Sequence, residues 1–182
     1  MMKKILFFAL VLISTTNFSQ ELRLLRGAIT ENVVVNDSLK ETFSLYLPTT
    51  FDVRKPWPII FVFDLKGRGK ASVSMMVNAA EKEGYILASS DNVNDSLSIS
   101  ENVLIANRML NASINVVPVA KDRTYTAGFG SGAMFASILP TFIKEIKGVV
   151  SIGASVGNIE ILNSKQTFQF IGIVNRSDYS FR

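Results

Sequence analysis

A glycine-rich turn at residues 128–132 holds the clearest chemical signal in the sequence. It reads Gly-Phe-Gly-Ser-Gly, follows a strand-like segment and precedes a segment with helical spacing. A sharp strand-to-helix turn of the form G-x-S-x-G can hold a serine in a strained, exposed conformation, from which its hydroxyl attacks an acyl carbon. The outer positions, Gly128 and Gly132, need glycine because side chains there would collide with neighbouring backbone. The centre is Gly130, which has no hydroxyl, so the turn as written lacks its nucleophile.

Ser131 is the alternative nucleophile in this turn. If Ser131 were central, the outer positions would become Phe129 and Ala133, and a phenylalanine does not fit so crowded a position. The simpler interpretation makes Ser131 the first residue of the following helix, with its N–H at the anion-binding end. A serine nucleophile also needs a general base, typically histidine. The 182 residues contain no histidine, so the sequence as given cannot form a Ser-His-Asp triad.

Alternating strand-like and helix-like segments surround the turn, which predicts a parallel sheet covered by helices on both faces. The run at 58–63 is apolar without alternation, as in a central strand buried on both sides. The first two strands are expected to form a hairpin, and Pro140 is expected to kink the last helix or end it early. We find no repeat or linker, so residues 21–182 form one domain. The predicted strands are 28–35, 42–47, 58–63, 85–89, 123–127, 149–154 and 168–174, and the predicted helices are 71–83, 99–112 and 133–146.

Residues 125–137, YTAGFGSGAMFAS, resemble the nucleophile elbow of secreted α/β-hydrolase esterases of the polyhydroxybutyrate-depolymerase and feruloyl-esterase type. That family carries a serine where this sequence has Gly130. The resemblance spans roughly residues 27–182 and includes LYLP at 45–48 and EGYILASS at 83–90. It implies an α/β-hydrolase-like, mostly parallel sheet with helices on both faces, and we expect this chain to lack the last strand and helix.

The same resemblance assigns further site residues. The N–H of Ser131 would be one oxyanion-hole donor, and the second would come from the loop after strand 58–63, near Leu65 or Lys66. The segment IGIVNRSD at 171–178 resembles the strand and loop that carry the triad acid, which places the acid at Asp178. The alternative is that Asp178 forms a turn or caps a helix. The histidine of such a triad follows the acid, so it would lie beyond Asp178.

The first 20 residues have the pattern of a signal peptide. Lys3 and Lys4 precede nine apolar residues at 5–13, and a polar stretch follows. Nine residues are too few to cross a bilayer, and no later stretch is long enough. We therefore expect cleavage near Ser19 or Gln20 and an exported protein, periplasmic or secreted, that is not held in a membrane after cleavage.

Composition excludes several function classes. The chain has no cysteine, which excludes disulfides, thiolate metal sites and a lipidated cysteine. Without histidine or cysteine only carboxylates and carbonyls could bind a metal, and the carboxylates of Asp91 and Asp95 fit a solvated loop better. Removal of Lys3 and Lys4 leaves 17 basic residues against 15 acidic ones. This scattered, nearly balanced charge does not predict nucleic-acid binding, and we expect no metal or other cofactor.

Two other functions remain open. The pattern Gly128-x-Gly130-x-x-Ala133 matches a dinucleotide-binding fingerprint, but that fingerprint belongs to a first strand–helix unit and needs an acidic residue after the next strand. The strand at 149–154 ends in Gly-Ala instead. The stronger alternative is a non-catalytic ligand-binding or scaffold protein whose pocket accepts a small ester or acyl ligand. The sequence thus favours either an inactive relative of carboxylic ester hydrolases or such a binding protein.

Overall fold

A computed structural model describes residues 24–36, 38–154 and 168–177. Within these residues one sheet of seven strands has the order β1-β2-β4-β3-β5-β6-β7. The elements, in chain order, are β1 (Ile29–Asn36), β2 (Glu41–Tyr46), β3 (Trp57–Phe63), α1 (Gly69–Ser74), α2 (Val77–Glu83), β4 (Ile86–Ser90), α3 (Ile99–Val116), β5 (Val119–Phe129), α4 (Ser131–Phe142), β6 (Ile146–Ile152) and β7 (Gln169–Ile173).

Five strands of the sheet run parallel, from β4 through β3, β5 and β6 to β7. Strand β2 is antiparallel to both of its neighbours, β1 and β4. The predicted hairpin of the first two strands is therefore confirmed. The carboxyl ends of β3 and β5 lie side by side, and the helices that follow these two strands pack on opposite faces of the sheet. Ligand sites of open α/β sheets form where the connections from two neighbouring strands go to opposite faces of the sheet in this way.

The central strand β3 shows why its sequence has no polar alternation. Ile59, Phe61 and Phe63 belong to the larger buried cluster, together with side chains of α3 and α4. Ile60 and Val62 belong to a second cluster, with side chains of α1 and α2. Both faces of β3 are thus covered by helices. This confirms the predicted mostly parallel sheet with helices on both faces.

Two predicted elements near the site, one helix and one strand, differ from the structure. The helix predicted over 71–83 is two helices, because the N–H of Met76 donates to the carbonyl of Val73, three residues back instead of four. The strand predicted over 123–127 is longer and begins at Val119. Apolar periodicity does not report such local changes in backbone hydrogen bonding.

Helix α4 continues for two residues past Pro140 and ends at Phe142, four residues short of the predicted 146, which agrees with the expected early end. Proline has no N–H, so the carbonyl of Ala136 loses its normal partner four residues on. The hydroxyl of Thr126 donates to this carbonyl over 3.0 Å instead. The hydrogen bond from β5 replaces the missing one and allows the helix to continue.

The strand β7 lies at the edge of the sheet and pairs with β6. All five of its residues are exposed, and Ile171 and Ile173 are 55% and 52% exposed.

Within the part of the chain that the structure describes, no helix is long and apolar enough to cross a membrane. The predicted signal peptide, residues 1–20, and the candidate acid Asp178 lie outside the described residues.

Candidate functional site

The turn between β5 and α4 is centred on Gly130, whose backbone has φ 54° and ψ −123°. Non-glycine residues rarely adopt this positive φ, because Cβ approaches neighbouring backbone. The N–H of Gly130 donates to the carbonyl of Ile152 in β6 over 2.9 Å. Its carbonyl accepts from Ala133 and Met134 at the start of α4, over 3.0 and 3.2 Å. These bonds fix an exposed, strained position at the carboxyl edge of the sheet.

The two outer glycines of the turn are forced by close packing. A Cβ on Gly128 would overlap the backbone of Gly132 and the nitrogen of Ala133. A Cβ on Gly132 would overlap the carbonyl of Phe63 and Cα of Asp64, where β3 ends. The start of α4 therefore lies directly against the start of the loop that follows β3.

A side chain at the centre of the turn would meet no obstacle. A Cβ on Gly130 has nothing within 4 Å, so only its positive φ disfavours other residues. Ser131, by contrast, is the first residue of α4 and is exposed. The strained, open position that a nucleophile would occupy is therefore that of Gly130, and Ser131 is the residue that follows it.

The loop after β3 is held rigidly. Leu65 has φ 54°, which is unusual for a side chain with a Cβ. The N–H of Lys66 donates to the carboxylate of Asp64 over 2.9 Å, and the Arg68 guanidinium pairs with the same carboxylate at 2.8 Å. The carbonyl of Leu65 accepts from the N–H of Asp95 over 2.9 Å.

Of the two oxyanion-donor candidates in this loop, only Leu65 keeps a backbone N–H with no acceptor among the described residues. The N–H of Lys66 is already engaged. The N–H of Ser131 belongs to the first turn of α4, where a helix leaves its amides without intrahelical acceptors. The structure thus brings two free donor residues, Leu65 and Ser131, to one edge of the sheet beside Gly130.

A half-buried polar cluster lies under this loop, and the sequence patterns did not predict it. Asp91 accepts hydrogen bonds from the hydroxyls of Thr42 and Ser44, over 2.9 and 3.3 Å. Burial raises the pKa of the Asp91 carboxyl, although these hydroxyls and the N–H of Gly69 act against the shift. Asp91 lies in a loop as expected but is half-buried instead of fully solvated, while Asp95 is exposed.

The glycines of the loop are the signal that could have revealed Asp91. A Cβ on Gly69 would overlap the Asp91 carboxylate, and one on Gly67 would come within 2.7 Å of the Asp91 carbonyl. The N–H of Gly67 also donates to Val93 over 2.9 Å. Two glycines in a short loop thus mark a place where the loop packs on the end of β4.

The turn offers backbone N–H donors to an oxygen atom of a ligand, but its centre has no side chain that could attack an acyl carbon. Its centre is an open glycine, and its polar groups are backbone N–H donors. Among the residues with described positions, no group of three or more carboxylates could hold a metal ion. The chemistry available at the turn is therefore hydrogen bonding to a carbonyl or carboxylate oxygen.

No family model matches the chain, and no curated protein matches its sequence. Its fold, however, is similar to solved esterases. Est1E from Butyrivibrio proteoclasticus is 12% identical with a TM-score of 0.54 over 69% of this chain and 50% of that one. The acetyl xylan esterase from Aspergillus awamori is 14% identical with a TM-score of 0.55 over 68% and 50%. An esterase from Pyrobaculum calidifontis is 13% identical with a TM-score of 0.55 over 71% and 45%.

These similarities establish the fold: the chain has an α/β-hydrolase fold with a mostly parallel sheet. The chain spans half or less of the length of these three structures. Identities this low show a shared fold and do not transfer an activity.

Proposed function

We propose that this protein is an exported α/β-hydrolase-fold protein, related to carboxylic ester hydrolases, that does not hydrolyse esters itself. One observation carries the proposal: the strained, open centre of the strand-to-helix turn is occupied by Gly130. The flanking glycines are packed as such a turn requires. The basic and apolar pattern of residues 1–20 supports export.

The loss of activity follows from the chemistry of acyl transfer. A serine hydrolase forms a bond between a hydroxyl oxygen and the acyl carbon, and a base takes the hydroxyl proton. Gly130 has only hydrogen at that position. Ser131 has a hydroxyl, but it is the first residue of a helix instead of the strained centre of the turn. The turn therefore lacks a hydroxyl at its centre, and the 182 residues contain no histidine to take the proton.

Ester turnover tests this proposal. The 182-residue chain and its Ser131→Ala variant would be compared on p-nitrophenyl acetate, with release of p-nitrophenolate as the readout. We expect no turnover that depends on Ser131. Turnover that the wild-type chain shows and the Ser131→Ala variant loses would overturn the proposal.

Binding of a small ester or acyl ligand is the second candidate function. It is favoured by the free N–H donors of Leu65 and Ser131, placed beside an open position at the edge of the sheet. The probes are acetate and ethyl acetate, followed by amide resonances in ¹⁵N NMR. The amides of Leu65 and Ser131 should shift, while the amide of Gly67, already bonded to Val93, should not. Shifts confined to other residues would favour a scaffold role instead.

A further inference from the structure

A cavity lies at the opposite edge of the sheet from the glycine turn. It has a volume of about 490 Å³ and lies between α3 and the amino-terminal half of β5. Its apolar floor includes Phe61 and Leu110, which are 1% and 2% exposed. At about 3.3 Å per residue along a strand, Thr124 in this cavity is roughly 20 Å from Gly130. The cavity is therefore separate from the candidate site described above.

Thr124 contributes a buried hydroxyl to the lining of the cavity. Thr124 is only 2% exposed, and no hydrogen bond joins its hydroxyl to any described residue. Two residues further along β5, the buried Thr126 hydroxyl does have a partner, the carbonyl of Ala136. No fully enclosed side-chain oxygen or nitrogen of the described chain is left unpaired, so the Thr124 hydroxyl keeps some exposure, and Thr124 lines the cavity. Buried hydroxyls nearly always have a partner, and here the open place for one is the cavity.

Four other polar side chains line the cavity. Asn107 and Asn111 stand one turn apart on α3, so their amides lie on the same face of that helix. Lys121 and Glu145 line the cavity with opposite charges. Neither of these two forms an ion pair within the described ranges 24–36, 38–154 and 168–177. The lining therefore has no net charge, and it presents both donors and acceptors.

We propose that this cavity binds a small neutral molecule with an apolar body and an amide or hydroxyl head. The apolar floor and the volume suit such a ligand, since small-molecule sites are mostly apolar with a few placed polar groups. The head bonds the Thr124 hydroxyl and the amides of Asn107 and Asn111, which can each donate and accept. The exposed charges of Lys121 and Glu145 offset each other, so an ionic head gains little over a neutral one.

The experiment uses three probes that share one branched apolar body: isovaleramide, isovalerate and isoamylamine. Each is titrated into the 182-residue chain and followed by ¹⁵N NMR. Isovaleramide should shift the amides around Leu110 and Thr124 and bind more tightly than either charged probe. Thr124→Val keeps the side-chain shape and removes the hydroxyl, and it should weaken isovaleramide binding about fivefold.

Two further variants keep the test decisive. Asn115 is exposed on α3 and does not line the cavity, so Asn115→Ala should bind isovaleramide normally, whereas Asn111→Ala should bind it less tightly. Asn111 is also exposed, which keeps that variant informative if Thr124→Val fails to fold. The proposal is overturned if isovaleramide shifts no cavity amide, if a charged probe shifts the cavity amides with equal or higher affinity, or if neither cavity variant weakens binding. Isovaleramide shifts at the amides of Leu110 and Thr124 report on this cavity, whereas shifts at Leu65 and Ser131 report on the proposed function, so the failure of one is distinguishable from the failure of the other.

Discussion

The three glycines of the turn should respond very differently to alanine. At Gly132 a Cβ would overlap Phe63 and Asp64, and at Gly128 it would overlap the backbone of the turn itself. Backbone atoms cannot rotate away as a flexible side chain does, so overpacking here should cost about 3 kcal/mol or more, above the typical range. At Gly130 the Cβ meets open space, and only the positive φ of 54° is unfavourable. That strain should cost about 2 kcal/mol, because φ 54° with ψ −123° lies outside the left-handed region that residues with a Cβ adopt.

Urea and thermal unfolding, followed by circular dichroism, would measure these differences. For a domain of this size 1 kcal/mol corresponds to about 2–4 °C in Tm. Gly130→Ala should therefore lower Tm by roughly 4–8 °C, and Gly128→Ala and Gly132→Ala should lower it by about 6 °C or more. Gly84 provides a control, because it also has a positive φ, 73°. A Cβ added at Gly84 would lie 3.4 Å from a ring carbon of Trp57, which is an ordinary contact.

Gly84→Ala should be milder than Gly130→Ala, because Gly84 has the left-handed conformation (φ 73°, ψ 49°) that residues with a Cβ tolerate better. If Gly132→Ala were as mild as Gly84→Ala, the tight contact between α4 and the end of β3 would be wrong. If Gly130→Ala were as damaging as Gly132→Ala, the open centre of the turn would be wrong, and with it the assignment of Gly130 to the nucleophile position.

Three other predictions follow from the structure. The raised pKa of Asp91 means that the folded state binds the proton more tightly than the unfolded state, in which the pKa is near 3.8. Stability should therefore fall as the pH rises from 3.8 to the folded pKa. The Asp91→Asn variant should flatten that slope in urea titrations. The exposed apolar edge at β7 should promote self-association, and sedimentation velocity should show less of it for Ile171→Lys with Ile173→Lys; a wild-type chain that stays monomeric at high concentration would contradict this. The exported form should begin near Gln20 or Glu21, and N-terminal sequencing that finds Met1 in a correctly localised protein would refute cleavage.

Sequence patterns predicted the parts of the fold that depend on burial and on turn sterics. The unbroken apolar run at 58–63 indicated a strand covered on both faces, and β3 is such a strand. The glycine spacing at 128–132 indicated a tight strand-to-helix turn because packing there excludes side chains. Both signals are local and therefore visible in a single sequence.

Features that depend on distant partners were not predictable. Pro140 correctly indicated an early helix end, but nothing in the sequence showed that the Thr126 hydroxyl would bond the carbonyl left free by the proline. Asp91 was expected in a solvated loop, because its hydroxyl partners lie about 50 residues earlier in the chain. The cavity beside Thr124 forms only when α3 packs on the sheet, so no sequence motif predicts it.

Covalent labelling by a fluorophosphonate probe tests the central claim most directly. Such a probe forms a phosphorus–oxygen bond with an activated serine hydroxyl and releases fluoride. The 182-residue chain would be incubated with the probe, and intact-mass and peptide mass spectrometry would locate any adduct. With Gly130 at the nucleophile position and Ser131 at the start of α4, we predict no adduct at either residue. An adduct on Ser131 that is absent from the Ser131→Ala variant would contradict the account.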